Sequence, residues 1–515
     1  MKSIFYFLNK YCNMVGLNLK IFFNTVKENK LFTFLMGFFL LVLFISVKQS
    51  IWLDESLSID FSRQGIKDIF YISMAADLHP PLYNLFLHYS GEVFGKEIWS
   101  YRLWSAIFYI LTAAVLFNYL KYRDRLKDFK NNSYLFVSLF LLSPFAVYYA
   151  SEARSYMLTI LISLVQFIAF DKIFDESQNY KKQIFAYTSM SIIGIYVFYP
   201  IIFLLAAEFF YVILYKRNYF KKFIFSWILI FVSYLPWIYL VILNRIGEQP
   251  SHFLPIPWWQ IPAIIFIGFS GGRVAVTDVN HTHDYWPTIL ISGIYALNFI
   301  GFFFWLKDKQ DRDYFLRIIF IFFGPILISL LISFLRFPVF DPRYYAEVFP
   351  LFILILIFSS IYLSRYSIKM WKNFISFLIF VNILFLGLYG LNANYQREHW
   401  KSVVVELEKE LQSGDKIVFI GHKQPPPSYS SYQTKSVEIV STYPDDLKDV
   451  QDYNAIEKTL RNKLEDAERI WYSQFLEWQK DPEHKIRGMV EDEFEYIKTI
   501  GFFKVKFDLY ERKGK

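Results

Sequence analysis

Residues 31–47 read LFTFLMGFFLLVLFISV, a run with no charge, and residues 48–55 follow at once as KQSIWLDE. A stretch of that length and apolarity crosses a hydrocarbon core as a helix, since backbone polar groups in lipid must be satisfied within the segment. No small-residue cleavage site follows it, and the stretch before it is basic and amphipathic. It therefore reads as a signal anchor and first span, not as a removed leader. The acidic pair Asp54-Glu55 then stands just past the membrane boundary.

Similar runs recur as far as Leu391. About eleven spans are expected, near 31–47, 101–120, 133–150, 155–171, 184–199, 201–215, 223–243, 287–306, 318–335, 346–363 and 373–391. Across all 515 residues, 55% are hydrophobic, 21% are aromatic and only 19% are charged. That charge is low for a soluble globular chain. The +8 net charge does not describe a nucleic-acid face, because its Lys and Arg side chains collect in short loops between apolar runs. Cys12 is the single cysteine, so there is no disulfide framework.

Loop charge sets orientation. Lys2, Lys10, Lys20, Lys27 and Lys30 precede the first span, and Lys121, Arg123, Arg125, Lys127 and Lys130 fill the 121–132 loop. Lys216, Arg217, Lys221 and Lys222 follow, then Lys307, Lys309, Arg312 and Arg317. Alternating spans put all of these on one side, which the positive-inside rule makes cytoplasmic. The N-terminal segment 1–30 is then cytoplasmic. The loops 48–100, 151–154, 244–286 and 336–345 lie outside, as does everything after Leu391.

The composition changes near residue 396. Residues 396–515 are charged, with short β-like runs at Lys416–Ile420, Ser436–Ser441 and Phe502–Tyr510. Ile456, Leu460 and Leu464 stand at helical spacing between them. A soluble α/β domain is expected there, appended to an all-α membrane domain over 31–395. Gln424–Ser431, with its three prolines, reads as a loop or rigid turn.

The outer face carries the residues with chemistry. Asp54-Glu55 alone is an ordinary solvated helix end, but a carboxylate at the lipid boundary needs partners. The same loop holds Asp77-Leu78-His79-Pro80-Pro81-Leu82-Tyr83, where proline biases the preceding residue toward extended geometry. The next outer turn holds Glu152 and Arg154, and a later one Phe340-Asp341-Pro342-Arg343-Tyr344. Arg102 opens the second span, and Arg273, Asp278, His281 and Asp284 lie in the 244–286 loop. Glu152 and Arg154 either neutralise each other or present the arginine to an anionic ligand. The Trp residues of the outer loops read as an interfacial belt. A carboxylate suits a general base for an acceptor hydroxyl, and arginine forks suit a phosphate leaving group.

The order of these motifs resembles the GT-C glycosyltransferases: Asp54-Glu55, then Asp77-x-His79-Pro80-Pro81-Leu82-Tyr83, then Tyr149-x-x-Glu152-x-Arg154-x-Tyr156, then Pro342-Arg343-Tyr344. It is most similar to the bacterial branch related to protein O-mannosyltransferases and the lipid A aminoarabinose transferase. The resemblance covers about 50–395, and Arg397-Glu398-x-Trp400 extends it. It implies inverting transfer of a sugar from a polyprenyl-phosphate donor to a glycan, lipid or protein acceptor, outside a plasma (inner) membrane. Asp54 is then the general base with Glu55 assisting, and Arg154, Arg343 and Arg102 hold the donor phosphate. Asp77, His79, Tyr83, Glu152 and Tyr344 shape the donor or acceptor pocket. Some relatives use a divalent metal and others do not. His79 with a carboxylate, or His281 with His283, has the donor chemistry for zinc. Unlike the protein O-mannosyltransferases, this chain has no β-trefoil insertion in its large loops, which weighs against a protein acceptor.

A transporter or flippase of lipid-linked glycans is the competing reading. Such a protein places ionisable groups at the bilayer midplane. Here the spans hold almost none, Glu208 excepted. A simple membrane anchor for the 396–515 segment would need one span only.

Overall fold

The apolar runs appear as helices, one of them broken at a proline. The computed structural model describes residues 30–75, 79–123, 133–175, 178–245, 260–272, 286–298, 300–307, 311–335, 342–364, 368–391, 397–420, 424–442, 453–502 and 504–514. Among the described residues, seven helices are long and apolar enough to cross a membrane. An eighth arises if Ser133–Leu141 and Pro144–Ala150 count as one span, bent by 62°. The expected span at 133–150 is that bent pair. Pro144 opens its second helix, where a missing N–H costs nothing, whereas inside a continuous helix its ring would clash with the preceding turn. The expected spans at 184–199 and 201–215 are the helices Tyr180–Val197 and Ile201–Tyr215, and that at 287–306 is the pair Trp286–Asn298 and Ile300–Lys307.

The chain divides into two compact units. The first comprises Met1–Ser46, Ser73–Tyr83 and Arg102–Phe385, and the second Val47–Ile72, Asn84–Tyr101 and Leu386–Lys515.

The first unit is the helical bundle, and small residues let its helices approach. A Cβ built on Gly301 would stand 2.0 Å from the Ser359 carbonyl oxygen, so helices Ile300–Lys307 and Phe349–Ser364 meet at backbone distance. Polar side chains pin the preceding helix, Trp286–Asn298, to the same partner: Asn298 donates to the Leu356 carbonyl at 2.9 Å, and Ser360 donates to the Asn298 oxygen at 2.9 Å. A second pin joins four helices. Glu208 accepts from Gln166 at 2.6 Å and from Tyr187 at 3.0 Å, and Tyr187 accepts from the Trp227 indole at 3.1 Å. Glu208 is thus the buried centre of a helix-to-helix network.

A third network closes one end of the bundle. Asp171 is buried and takes Arg317, Arg123 at 3.3 Å and the Tyr119 hydroxyl at 2.8 Å. Arg317 also reaches Asp313 at 2.6 Å, and Lys216 reaches Asp313 at 2.7 Å. Two arginines from the basic stretches, Arg123 and Arg317, thus bind one carboxylate of helix Tyr156–Ile173. Arg102 lies near the start of helix Ile98–Tyr122 and Tyr119 near its end, so Arg102 marks the opposite end of the bundle.

The second unit contains a five-stranded sheet ordered β2-β1-β3-β5-β4, with β1 Lys416–Phe419, β2 Glu438–Ser441, β3 Arg469–Ser473, β4 Phe494–Phe502 and β5 Val505–Arg512. β1 runs parallel to β2 and β3, while β5 is antiparallel to β3 and β4. Strand alternation splits the apolar residues into two cores. Val418, Ile470 and Tyr472 pack with Ile456, Leu460 and Leu464 of the amphipathic helix Tyr453–Leu464. Ile417, Phe419 and Trp471 pack with Trp400, Val403 and Leu407. The expected Gln424–Ser431 turn contains one short helix, Pro427–Ser430.

Buried carboxylates in this domain make it acid-sensitive. Burial opposes ionisation of Glu477, but the Arg487 fork, at 2.7 Å from each oxygen, outweighs it and holds the carboxyl below its ordinary 4.5. Glu408 is likewise opposed by burial and lowered by Thr434 and Lys435. Lowered folded values mean that this stabilisation is complete above 4.5, the ordinary value of both groups, and disappears as pH falls through the folded values. Hydrogen-exchange protection of β3, corrected for intrinsic rates, should hold from neutral pH to about 4.5 and then fall. Constant protection down to pH 2 would refute this.

Candidate active site

The acidic pair sits on the first turn of helix Leu53–Arg63, which belongs to the second unit. Carboxylates there face the positive end of the helix dipole. Trp52 precedes the helix in extended geometry and has no side-chain oxygen to cap it. The helix start is held from elsewhere in the same unit. The Leu53 amide donates to Glu398 at 3.1 Å, the Ile51 amide to the Tyr432 hydroxyl at 2.9 Å, and the Lys401 amide to the Ser50 hydroxyl at 3.1 Å.

The two carboxylates are unequal. Glu55 is 0% exposed and lies 3.8 Å from Arg397, itself 3% exposed. Asp54 is half-buried. A solvated helix end, the plain alternative for the pair, does not describe Glu55, which is sealed against a buried arginine. Arg397-Glu398-x-Trp400 stood out in the sequence as a motif, but nothing local tied it to Asp54-Glu55.

The remaining candidates lie in the first unit. Arg102 is buried and donates to the Ser46 carbonyl at 2.5 Å, while Ser46 donates to the Ser151 carbonyl at 3.3 Å. The end of the first span, the start of the Ile98–Tyr122 helix and the 151–155 turn thus meet at one end of the bundle. Glu152 is fully buried there, and Arg154 is 8% exposed with its guanidinium 5.6 Å over the Tyr156 ring.

Aromatic rings extend this patch. Tyr156 meets Phe198 edge-on at 5.7 Å, and His79, half-buried, stacks against Phe198 at 6.2 Å. Helix Tyr156–Ile173 packs against the 3-10 turn Pro342–Val348, which carries Arg343 and Tyr344. Both are half-buried, with the Arg343 guanidinium 5.3 Å over the Tyr344 ring. Tyr83 is buried. The structure therefore gathers His79, Glu152, Arg154, Arg343 and Tyr344 along connected elements of one unit. Gly272 supports the neighbouring turn. It adopts φ 65°, and a Cβ there would stand 2.9 Å from the Pro144 backbone.

Sequence reasoning missed Glu347. It is buried on the same turn as Arg343, and neither of its side-chain oxygens meets a donor from another residue. Its place five residues after Pro342, at the start of an apolar run, was the available signal. Asp77, Asp341, Arg273, Asp278, His281, His283 and Asp284 lie outside the described residues. Among the described residues, no three His, Cys, Asp or Glu side chains come together as metal ligands.

Helical bundle and appended α/β sheet together make the GT-C fold that the motif order leads one to expect. ArnT from Cupriavidus metallidurans bound to undecaprenyl phosphate is similar to this chain with a TM-score of 0.54 and 11% identity, over 92% of this chain and 97% of that one. ArnT in the apo state gives the same figures. The arabinofuranosyltransferase AftD from Mycobacteria is similar at a TM-score of 0.39 and 12% identity, over 93% of this chain and 41% of that one. No protein-family model and no curated protein sequence matches the chain.

Proposed function

We propose that this chain is a membrane glycosyltransferase that moves a sugar from a polyprenyl-phosphate donor to an acceptor hydroxyl outside the membrane, with inversion. The observation that carries this reading is the likeness to ArnT over nearly the whole of both chains, in a form of ArnT that holds undecaprenyl phosphate. The acidic helix and the buried arginines supply the chemistry that such a transfer needs.

In this mechanism Asp54 takes the proton of the acceptor hydroxyl. The oxygen attacks the anomeric carbon from the face opposite the phosphate. The bond from that carbon to the phosphate oxygen breaks, and its electron pair leaves with the polyprenyl phosphate. Arginines stabilise that charge without a proton donor. Arg154 and Arg343, set on packed elements, are the principal phosphate partners. Arg102, bonded to the Ser46 carbonyl, also braces the end of the first span. His79, Tyr83, Glu152, Tyr344 and, outside the described residues, Asp77 shape the pocket. The bundle end that carries Arg102 faces outward, and the end with Asp171, Arg123 and Arg317 faces the cytoplasm.

The protein in lipid nanodiscs, given a panel of radiolabelled polyprenyl-phosphate sugars and envelope glycans, lipids or peptides, should release polyprenyl phosphate in step with acceptor labelling. Movement of intact donor across a vesicle membrane without bond cleavage would favour the flippase reading instead. Arg343→Ala should raise the donor KM by about tenfold or more, the usual cost of one charge-assisted phosphate contact, with a smaller change in kcat. An unchanged donor KM would remove Arg343 from the phosphate site.

A further inference from the structure

We propose that the carboxyl-terminal α/β domain clamps the acidic helix, with Glu398 and Arg397 as positioning residues that set the direction of the Asp54 carboxylate. This rests on the transferase reading for its kinetic consequence and on geometry alone for the clamp itself.

A helix start leaves amide donors without intrahelical acceptors, and a side chain at the preceding position usually takes one. Trp52 has no oxygen to do this. Glu398 supplies it from a distant part of the chain. The oxygen that accepts from the Leu53 amide at 3.1 Å also accepts from the Trp400 indole at 2.9 Å. Trp400 is fully buried in the sheet core with Phe475 and Phe507, and Leu53 packs against that same core. The helix start is thus tied to a buried core of the domain through a single carboxylate oxygen.

Three further contacts fix the approach. Tyr432 receives the Ile51 amide, Ser50 receives the Lys401 amide, and helix Pro427–Ser430 lies against helix Leu53–Arg63. On the next residue, Glu55 faces Arg397 at 3.8 Å, and the side chains of both are fully buried. Asp54 stands between Leu53 and Glu55, and both neighbours are fastened to this domain. The backbone from which its carboxylate projects is therefore held on both sides. A base must sit within hydrogen-bond reach of the proton it removes, and a displacement of about 1 Å at a reacting group can cost on the order of a hundredfold in rate.

Glu398→Ala and Glu398→Gln in the full chain, in nanodiscs, separate positioning from bulk folding. Glutamine keeps an acceptor oxygen and alanine does not. Hydrogen exchange of residues 51–56 should rise clearly in Glu398→Ala and stay near wild type in Glu398→Gln. With a polyprenyl-phosphate sugar as donor, Glu398→Ala should lose about tenfold or more in kcat with little change in donor KM, and Glu398→Gln should stay within about threefold. Tyr432→Phe, which keeps the ring, should show a smaller effect of the same kind if Glu398→Ala fails to fold.

Unchanged exchange at 51–56 in Glu398→Ala, or in Tyr432→Phe if that variant replaces it, would overturn the clamp. Raised exchange with wild-type kcat would overturn the positioning role. If the wild-type chain transfers no sugar at all, the transferase reading fails, and the exchange measurement still decides the clamp because it needs no substrate.

Discussion

Asp54→Asn is expected to abolish sugar transfer in a protein that still folds and inserts. The substitution keeps the shape of a half-buried side chain on the first turn of helix Leu53–Arg63 and removes its charge and with it its ability to take a proton. Loss of a positioned general base costs on the order of a hundred- to ten-thousandfold. Glu55 offers no substitute, because it is fully buried against Arg397 and committed to holding the helix. Asparagine also remains a good residue near a helix start, so thermal stability and elution of the purified protein should match wild type. The measurement is kcat at saturating donor and acceptor, with those two controls. Turnover within about threefold of wild type would remove Asp54 from the role of base.

Much of the bundle was legible because lipid permits so few backbone solutions. A charge-free run such as 31–47 has one stable conformation in hydrocarbon, and the helix Lys30–Lys48 follows from it. The turn residues were less legible: the 62° bend before Pro144 needed the structure, since apolar periodicity runs through it. In the sheet, β1, β2 and β5 stood out as short β-like runs. β3, RIWYS, and β4, FEYIKTIGF, did not. β3 is buried for most of its length and shows no polar alternation, and β4 is an edge strand with a shift in pairing between Tyr496 and Lys498.

The candidate site was legible as residue types and illegible as partnerships. Arg343 and Arg154 announced themselves by charge at the ends of apolar runs. That Glu55 would be sealed by Arg397, or the Leu53 amide capped by Glu398, depends on contacts between segments separated by hundreds of residues. No local periodicity encodes such a contact. Topology alone also left Glu208 as an oddity, while Gln166, Tyr187 and Trp227 explain it as a polar pin between helices.

Asp171→Ala should have the opposite signature, a large loss of stability with no specific loss of chemistry. Asp171 is buried on helix Tyr156–Ile173 and answers two arginines that come from sequence positions 48 residues before it and 146 after it. Removing one partner of a buried ion pair strands the other charge, which typically costs about 3–5 kcal/mol. Here only Arg317 is stranded in full burial, since Arg123 is 24% exposed; Arg317 keeps Asp313 at 2.6 Å and Arg123 keeps the Tyr314 ring at 3.6 Å. Those residual contacts place the expected loss toward the lower part of that range. The Tyr119 hydroxyl loses its acceptor as well, though it retains Tyr314 at 2.9 Å. The readout is the midpoint of thermal unfolding in detergent together with the yield of monodisperse protein, both of which should fall. Transfer per folded molecule should stay near wild type, because Tyr119 and Arg102 mark opposite ends of helix Ile98–Tyr122. A stable Asp171→Ala protein would mean that water reaches Arg317 as well as the partly exposed Arg123. A folded but inactive one would mean that this end of the bundle is coupled to the chemistry.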